Sequence, residues 1–228
     1  RGCTKFLPTD VDYLFHFAHS NEYRNFPVGA EDMFDVNVGA TFELLEWGRK
    51  TGLEKFIYAS TGTIYGSGDA PFREDSTPTI RSLYSATKYL SEVLLNQYIS
   101  FFSPLILRFF GVYGPQQKDK MISDMIDRVR QGKEITLAAG RGLTINPIYI
   151  DDAVNAVLEL VNKGATGTFN VAGNEALTYR DMSLKIAENL RTKPRYKHSA
   201  EEPISLVADI EALKSYYRPQ YSFEKTIP

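Results

Sequence analysis

Lys55-Phe-Ile-Tyr-Ala-Ser-Thr61 is the stretch that decides the fold, together with Tyr84-Ser-Ala-Thr-Lys88, which begins 23 residues after Thr61. The first segment is a short apolar run that ends on two hydroxyls, which predicts a buried strand. The second opens an amphipathic helix pattern, on which four-residue spacing places Tyr84 and Lys88 one turn apart on one face. A phenol beside an ammonium loses its proton more easily. The two segments therefore indicate proton transfer at a carbinol carbon, the chemistry that accompanies hydride transfer to a nicotinamide.

The same Tyr-x-x-x-Lys spacing occurs a second time, at Tyr221 and Lys225. Tyr221 follows Arg-Pro-Gln in a proline-marked turn near the chain end, whereas Tyr84 begins a helix after a strand that ends on hydroxyls. This context favours Tyr84 and Lys88 as functional residues, with Thr61 and Ser60 as the neighbouring hydroxyls.

Strands and helices alternate through the first half of the chain. The predicted strands are Val11–Ala18, Lys55–Ser60 and Leu105–Phe110, and the predicted helices between them are Glu31–Lys50 and Tyr84–Phe102. This order predicts a parallel sheet with right-handed crossovers, whose ligands bind at the carboxyl ends of the strands.

After Gly114 the predicted elements are shorter. They are a helix over Met121–Gln131, strands over Glu134–Leu137, Asn146–Ile150 and Thr168–Val171, a helix capped by Asp151 or Asp152 that runs to Asn162, and a helix over Tyr179–Leu190. The C-terminal residues that follow mix polar and aromatic side chains and predict a small lobe.

The composition is that of an ordinary globular protein, with 228 residues, 43% hydrophobic, 24% charged and a net charge of −2. This balance argues against a nucleic-acid or membrane-surface partner. The single cysteine, Cys3, excludes an internal disulfide and a cysteine-based metal site and fits a reducing, cytoplasmic compartment. His16 and His19 lack a third ligand, so we expect structural roles for them and no metal site.

Six segments occur in an order and at spacings that resemble a known family. They are Phe15-His-Phe-Ala18, Asn37-Val-Gly-Ala-Thr41, Tyr58-Ala-Ser-Thr-Gly-Thr-Ile-Tyr-Gly66, Tyr84-Ser-Ala-Thr-Lys88, Arg108-Phe-Phe-Gly-Val-Tyr-Gly-Pro115 and Asn146-Pro-Ile-Tyr-Ile-Asp-Asp152. Together they resemble the extended short-chain dehydrogenase/reductases, specifically the NAD-dependent epimerase/dehydratase family that acts on nucleotide sugars.

The resemblance implies an α/β fold, a Rossmann-like doubly wound parallel sheet with a small C-terminal α/β substrate lobe. It assigns residues 1–115 to a partial dinucleotide-binding domain that holds the catalytic residues. Residues 116–228 become mainly a substrate-binding lobe, with a segment at about 146–165 returning to the first domain. Family members often dimerise through helices equivalent to Glu31–Lys50 and Leu83–Phe102, so a homodimer is expected by analogy.

The resemblance also implies site residues. Tyr84 becomes the catalytic acid/base, Thr61 and Ser60 hold the reacting oxygen, and Lys88 binds the nicotinamide ribose and lowers the pKa of Tyr84. The implied residues for NAD or NADP are Phe17, Ala18, His19, Asn37, Tyr84, Lys88, Phe109, Gly111 and Val112. Those for a nucleotide-sugar substrate are Thr61, Thr63, Tyr84, Gly111 and Arg141. Asn37 has an alternative interpretation as a polar residue at the start of a helix.

Two features of the family are absent from this sequence, the Gly-x-x-Gly-x-x-Gly turn after the first strand and the acidic residue that binds the adenosine ribose. By family length both are expected to precede residue 1. The chain is therefore expected to be a truncated copy that lacks the N-terminal strands, or a protein that does not bind a dinucleotide in the usual way. The choice between NAD and NADP depends on that missing region.

Other departures bear on the substrate. Gly111 replaces an Asn, Ile145 replaces an Arg, and Ser199-Ala-Glu-Glu-Pro203 replaces an Arg-containing element. Arg141 is the best substitute anion ligand, and a solvated arginine of a loop is the alternative interpretation of this residue. Thr61-Gly62-Thr63 lacks the Asp-Glu pair of 4,6-dehydratases, so an epimerase or a reductase is favoured over a dehydratase, and the epimerase is the leading hypothesis. The alternatives are a reductase or dehydrogenase of a smaller carbonyl substrate and a non-catalytic, dinucleotide-sensing or partner-binding module.

Overall fold

The computed structural model describes residues 2–69 and 71–227. The chain divides into two compact units. The first contains the described residues of Arg1–Gly66, Thr77–Arg108 and Ala165–Phe169, and the second those of Ser67–Ser76, Phe109–Gly164 and Asn170–Pro228. The assignment of dinucleotide binding to residues 1–115 and of substrate binding to residues 116–228 stays a prediction.

The strands that the sequence predicts occur in the predicted order, together with short strands that it does not predict. The strands are β1 (Tyr13–His16), β2 (Lys55–Thr61), β3 (Ser103–Phe109), β4 (Val112–Tyr113), β5 (Glu134–Ala138), β6 (Thr144–Ile145), β7 (Ile148–Tyr149), β8 (Gly167–Val171), β9 (Leu177–Thr178), β10 (Arg195–Ser199) and β11 (Ser205–Leu206).

The α-helices are α1 (Ala30–Phe34), α2 (Ala40–Thr51), α3 (Leu83–Asn96), α4 (Met121–Arg130), α5 (Ile150–Asn162), α6 (Tyr179–Asn189), α7 (Glu211–Lys214) and α8 (Phe223–Thr226). Two 3-10 helices cover Asn21–Arg24 and Gly62–Tyr65, and a π-helix covers Asp35–Gly39.

The main sheet has the strand order β1-β2-β3-β8. β1 pairs with β2 in parallel, with Leu14 opposite Phe56 and His16 opposite Tyr58. Nearly every residue of β2 is buried, as in strands of parallel sheets that are covered on both faces. Side chains from this sheet, from α2 and α3 and from their connections form one core cluster: Leu45, Leu53, Phe56, Tyr58, Leu95, Phe102 and Ile106. The predicted α/β class with a parallel sheet is confirmed.

Two predicted helices differ from the structure. The pattern over Glu31–Lys50 is one apolar stripe, yet the chain forms α1, a π-helix turn and α2 in succession. A π-helix turn widens a helix by one residue without removing its apolar face, so hydrophobic periodicity does not reveal it. The second helix ends at Asn96 instead of Phe102, because the chain turns there and stacks Tyr98 on Phe102 at 5.9 Å, which buries Phe102 in the core.

The predicted cap of α5 is wrong. The residue before α5 is Tyr149, and no side chain caps the helix, although Asp151 and Asp152 lie in its first turn. Asp152 is instead buried and accepts hydrogen bonds from the Tyr217 hydroxyl at 2.6 Å and from the backbone N–H of Gln220 at 2.9 Å. This carboxylate therefore fastens the C-terminal residues within the second unit, a contact across 65 residues that local sequence cannot show.

The second unit contains short strand pairings. β5 pairs in parallel with β10, β6 lies between β11 and β9, and β4 pairs in parallel with β7. In the part of the chain that the structure describes, no helix has the length and apolar character needed to cross a membrane.

Candidate active site

Thr61 lies at the carboxyl end of β2, where the strand becomes a 3-10 helix. Its hydroxyl caps that helix by accepting a hydrogen bond from the Thr63 N–H at 3.2 Å. The Thr61 and Thr63 hydroxyls are 3.1 Å apart, and Thr63 is exposed. The strand end therefore presents two adjacent hydroxyls, one buried and one exposed.

Tyr84 lies in the first turn of α3. Ser82 starts this helix with a capping box, in which its hydroxyl accepts from the Ser85 N–H at 3.1 Å. The Tyr84 ring contacts the Tyr23 ring, with 5.5 Å between centroids, and the His19 ring at 6.1 Å. Burial raises the pKa of Tyr84 to about 12, while hydrogen bonding with Thr61 acts to lower it. The Tyr84 phenol therefore interacts with the Thr61 hydroxyl, and the catalytic roles of both residues stay a prediction.

Lys88 is buried one turn further along α3. Its ammonium lies 4.2 Å from the centroid of the Tyr58 ring, a cation–π contact. Burial lowers the pKa of Lys88 to about 7, and the Glu92 carboxylate opposes this shift. Near neutral pH the side chain is thus poised between its charged and neutral forms.

The expected lowering of the Tyr84 pKa by Lys88 does not appear in the protein alone. Burial is the largest influence on Tyr84, and it favours the neutral phenol. A partly neutral Lys88 offers little positive charge against this effect. Thr61, Tyr84 and Lys88 nevertheless lie in the same compact unit, at the end of β2 and the start of α3.

The Ser60 hydroxyl donates a hydrogen bond to Oε1 of Glu92. Glu92 also forms a buried ion pair with Arg108, whose Nη2 lies 2.7 Å from Oε2. Because the side chains of successive strand residues point to opposite faces of a sheet, those of Ser60 and Thr61 lie in different surroundings. The structure therefore binds Ser60 into an ion-pair network, and its catalytic role stays a prediction.

Asn37 lies in the π-helix and connects three segments. Its side-chain oxygen accepts from the Ser20 N–H at 2.9 Å, and its amide nitrogen donates to the Thr87 hydroxyl at 3.0 Å. Its backbone carbonyl accepts from the hydroxyls of Ser91 at 2.8 Å and Thr41 at 2.6 Å. Asn37 thus holds the backbone after β1 against α3, and its role in binding the dinucleotide stays a prediction.

The predicted cofactor segment Phe17–His19 directly follows β1. Phe17 is 45% exposed, Ala18 is exposed, and Nδ1 of His19 lies 2.7 Å from the Ser20 carbonyl, to which it donates as the N–H tautomer. His16 is buried, and its Nε2 is 2.9 Å from the Thr41 hydroxyl. Burial, with Lys88 nearby, lowers the pKa of His16 to about 4. Within the described residues no group of three potential metal ligands occurs.

The remaining predicted site residues belong to the second unit. They are Phe109, Gly111, Val112 and Arg141. Phe109 ends β3, Gly111 has a φ of +56°, and Val112 begins β4. Arg141 is exposed beside a recess of about 430 Å³ that Thr144, Thr178 and Ser205 also line. The second Tyr-x-x-x-Lys pair, Tyr221 and Lys225, lines a different cavity of about 730 Å³.

Three residues of the site were not identified from the sequence: Glu92, Arg108 and Tyr23. Glu92 follows Lys88 by four residues, so helical spacing alone places it on the same face. Arg108 interrupts a buried apolar strand, and a charge in such a place signals a buried partner. Tyr23 carries no such signal, because its contact with Tyr84 depends on how the segment after β1 folds back.

Comparisons with known proteins give a family and several relatives. The model of the NAD dependent epimerase/dehydratase family matches residues 2–172. A UDP-N-acetyl-alpha-D-glucosaminuronate decarboxylase from Bacillus cytotoxicus is 26% identical over 242 residues, which cover 96% of this chain and 75% of the relative. A dTDP-D-glucose 4,6-dehydratase from Dictyostelium discoideum is 30% identical over 192 residues, which cover 77% of this chain and 44% of the relative.

A solved structure supports the fold independently. UDP-glucuronic acid 4-epimerase from Bacillus cereus, in complex with UDP-glucuronic acid and NAD, superposes with a TM-score of 0.86 at 26% identity. The match covers 95% of this chain and 73% of the epimerase. The Rossmann-like fold that the sequence predicts is confirmed, and the chain spans about three quarters of this relative's length.

Proposed function

The chain belongs to the NAD-dependent epimerase/dehydratase family of enzymes, and we propose that it carries the catalytic residues of a nucleotide-sugar epimerase that works with a bound nicotinamide dinucleotide. The observation that supports this proposal is the hydrogen bond between the Tyr84 and Thr61 side chains at the end of β2, with Lys88 buried one turn further along α3. Ligands of parallel α/β sheets bind at this edge.

The residues around Lys88 fit a nicotinamide ribose. Burial penalises the charged form of this lysine, and ribose hydroxyls beside it would supply the acceptors that relieve the penalty. NAD or NADP would then lie against Lys88, Tyr84 and the exposed Ala18, all in the first unit. The bound cofactor supplies the acceptance and return of a hydride.

Residues of the chain itself transfer the proton of the reacting substrate hydroxyl. Thr61 donates a hydrogen bond to the reacting sugar oxygen and orients it toward the Tyr84 phenol. Tyr84, as phenolate, takes the proton of the substrate hydroxyl and gives it back when the keto sugar is reduced on its other face. A protonated Lys88 one turn away favours the phenolate, which burial alone disfavours.

An epimerase fits better than a dehydratase because elimination of water needs a further acid and base. The positions after Thr61 are Gly62 and Thr63, and the Thr63 hydroxyl already lies against Thr61. Both carboxylates that the 4,6-dehydratases carry at these positions are therefore missing.

A second candidate, the reduction or oxidation of a smaller carbonyl compound, is favoured by the packing at Gly111. A side chain there would meet Cδ1 of the buried Ile145 at 3.3 Å. Both positions are thus apolar where the family holds a diphosphate with Asn and Arg, which would suit an uncharged substrate.

A thermal-shift screen of the natural full-length protein tests the proposal. The ligands are NAD, NADP, UDP-glucuronic acid, UDP-glucose and GDP- and dTDP-sugars. A ligand at about 100 times its Kd should stabilise the protein by about 2.7 kcal/mol and raise Tm by several degrees. We expect a shift with one dinucleotide and at least one nucleotide sugar, and loss of the dinucleotide shift in Lys88→Met.

Two results would contradict the epimerase. A dinucleotide shift without any nucleotide-sugar shift would favour the reductase of a smaller substrate. The absence of every shift would favour a non-catalytic module.

A further inference from the structure

A buried ion pair connects the elements that carry the proposed catalytic residues. Glu92 lies on α3, one turn beyond Lys88 and two turns beyond Tyr84, and its side chain is 3% exposed. Arg108 on β3 holds it with three contacts, Nη2 to Oε2 at 2.7 Å and Nε to Oε1 and Oε2 at 3.1 and 3.2 Å. α3 is therefore fixed to the sheet at this point.

The pair also holds both ends of the segment that contains Thr61. Ser60, directly before Thr61, donates its hydroxyl hydrogen to Oε1 of Glu92. Tyr65, at the end of the 3-10 helix that Thr61 caps, accepts from Nη1 of Arg108 at 2.6 Å. Thr61 thus lies between two residues that are bound to the same ion pair.

Stability alone is a poor explanation for this arrangement. Buried ion pairs are often no more stabilising than apolar side chains of similar size, because both charges lose their hydration. The pair instead fixes orientation, because a carboxylate with two acceptor oxygens and a planar guanidinium hold the elements that they join in one relative orientation. The elements joined here are those that carry Thr61, Tyr84 and Lys88.

We propose that Glu92 and Arg108 are positioning residues, which hold the Thr61 hydroxyl against Tyr84 and keep a negative charge one turn from Lys88. This inference deepens the proposed function and rests on it for its effect on turnover. Its effect on the geometry of Tyr84 does not depend on turnover.

Three variants of the natural full-length protein separate positioning from stability. Glu92→Gln keeps the size of the side chain and removes its charge. Glu92→Leu with Arg108→Met replaces the whole pair by apolar side chains. Lys55→Met is the matched control, because it removes a buried cation that donates to the Ala165 carbonyl at 2.8 Å at the opposite end of β2.

Each variant is measured for Tm, for kcat and KM with NAD and UDP-glucuronic acid as probes, and for the NMR resonance of Tyr84 in protein with isotope-labelled tyrosine. Tyr84→Phe assigns that resonance. We expect Glu92→Gln and Lys55→Met both to lower Tm, by about 10 °C for the former. Only Glu92→Gln should shift the Tyr84 resonance and lower kcat, by about 100-fold at nearly unchanged KM.

The double variant Glu92→Leu with Arg108→Met distinguishes a positioning role of the pair from a purely structural one. We expect it to regain much of the lost Tm while the Tyr84 resonance stays shifted and kcat stays low. If its Tyr84 resonance and kcat return to wild-type values together with Tm, the pair is only structural and the inference is overturned. A wild type without turnover would contradict the proposed function alone, and the Tyr84 resonance would still confirm or refute positioning.

Discussion

Burial of the Lys88 ammonium lowers the stability of the folded protein, because the charge loses its hydration. The pKa of Lys88 in the folded protein is lowered to about 7, below the ordinary value for an unfolded chain, first by burial and against the opposing charge of Glu92. Between pH 7 and about 10 the unfolded chain therefore binds a proton that the folded protein has lost. Stability rises with pH through this window, and the cost is fully present below pH 7.

Lys88→Met should remove this dependence. At pH 7 we expect the variant to be more stable than the wild type by about 4 kcal/mol, and by less than about 1 kcal/mol at about pH 10. Urea denaturation of both proteins across this range measures the difference. The control is Lys50→Met, which replaces an exposed lysine of α2 and should leave the pH dependence of the unfolding free energy unchanged. If the unfolding free energy of Lys88→Met changed with pH in parallel with that of the wild type, burial of Lys88 would carry no such cost.

The π-helix is the element on which the site's backbone depends. Asn37→Ala removes the acceptor of the buried Ser20 N–H and the amide that donates to Thr87. We expect a loss of about 3 kcal/mol in unfolding free energy, because a buried N–H is left unpaired. Hydrogen exchange at the Ser20 amide should accelerate as well.

The matched control for Asn37 is Asn25→Ala, whose side chain makes an exposed hydrogen bond to Glu22 at 2.9 Å. Its unfolding free energy should change by less than about 0.5 kcal/mol. Equal effects of the two substitutions would mean that Asn37 does not hold these segments together.

Sequence reasoning succeeds at this scale where the signal is local. The apolar run of β2 and the spacing of Tyr84 and Lys88 each lie within a few residues, and the structure contains a strand and a helix at these places, although the helix ends at Asn96. It fails where partners are distant. Asp152 looked like a helix cap, and only the folded chain brings it to Tyr217. Likewise, Ser60 could be identified as a hydroxyl at a strand end, but not as a ligand of Glu92, 32 residues away.

The homodimer is a prediction at the scale of the whole molecule. α2 and α3 expose apolar side chains, with Phe42 47%, Leu90 39% and Val93 39% exposed. Covering them with a second copy would remove this surface from water. We expect twice the mass of one chain in sedimentation velocity, and a shift toward the monomer in Leu90→Glu. A wild type that sediments as a monomer at every concentration would contradict the prediction.

The central claim, that Tyr84 exchanges the proton of the reacting hydroxyl, is tested most directly by Tyr84→Phe in the natural full-length protein. Turnover of the nucleotide sugar that the wild type accepts is measured together with dinucleotide affinity. The ring is kept and only the hydroxyl is lost, so we expect kcat to fall by at least about 100-fold while dinucleotide affinity stays within a few-fold of the wild type. A variant that turns over at the wild-type rate would contradict the account.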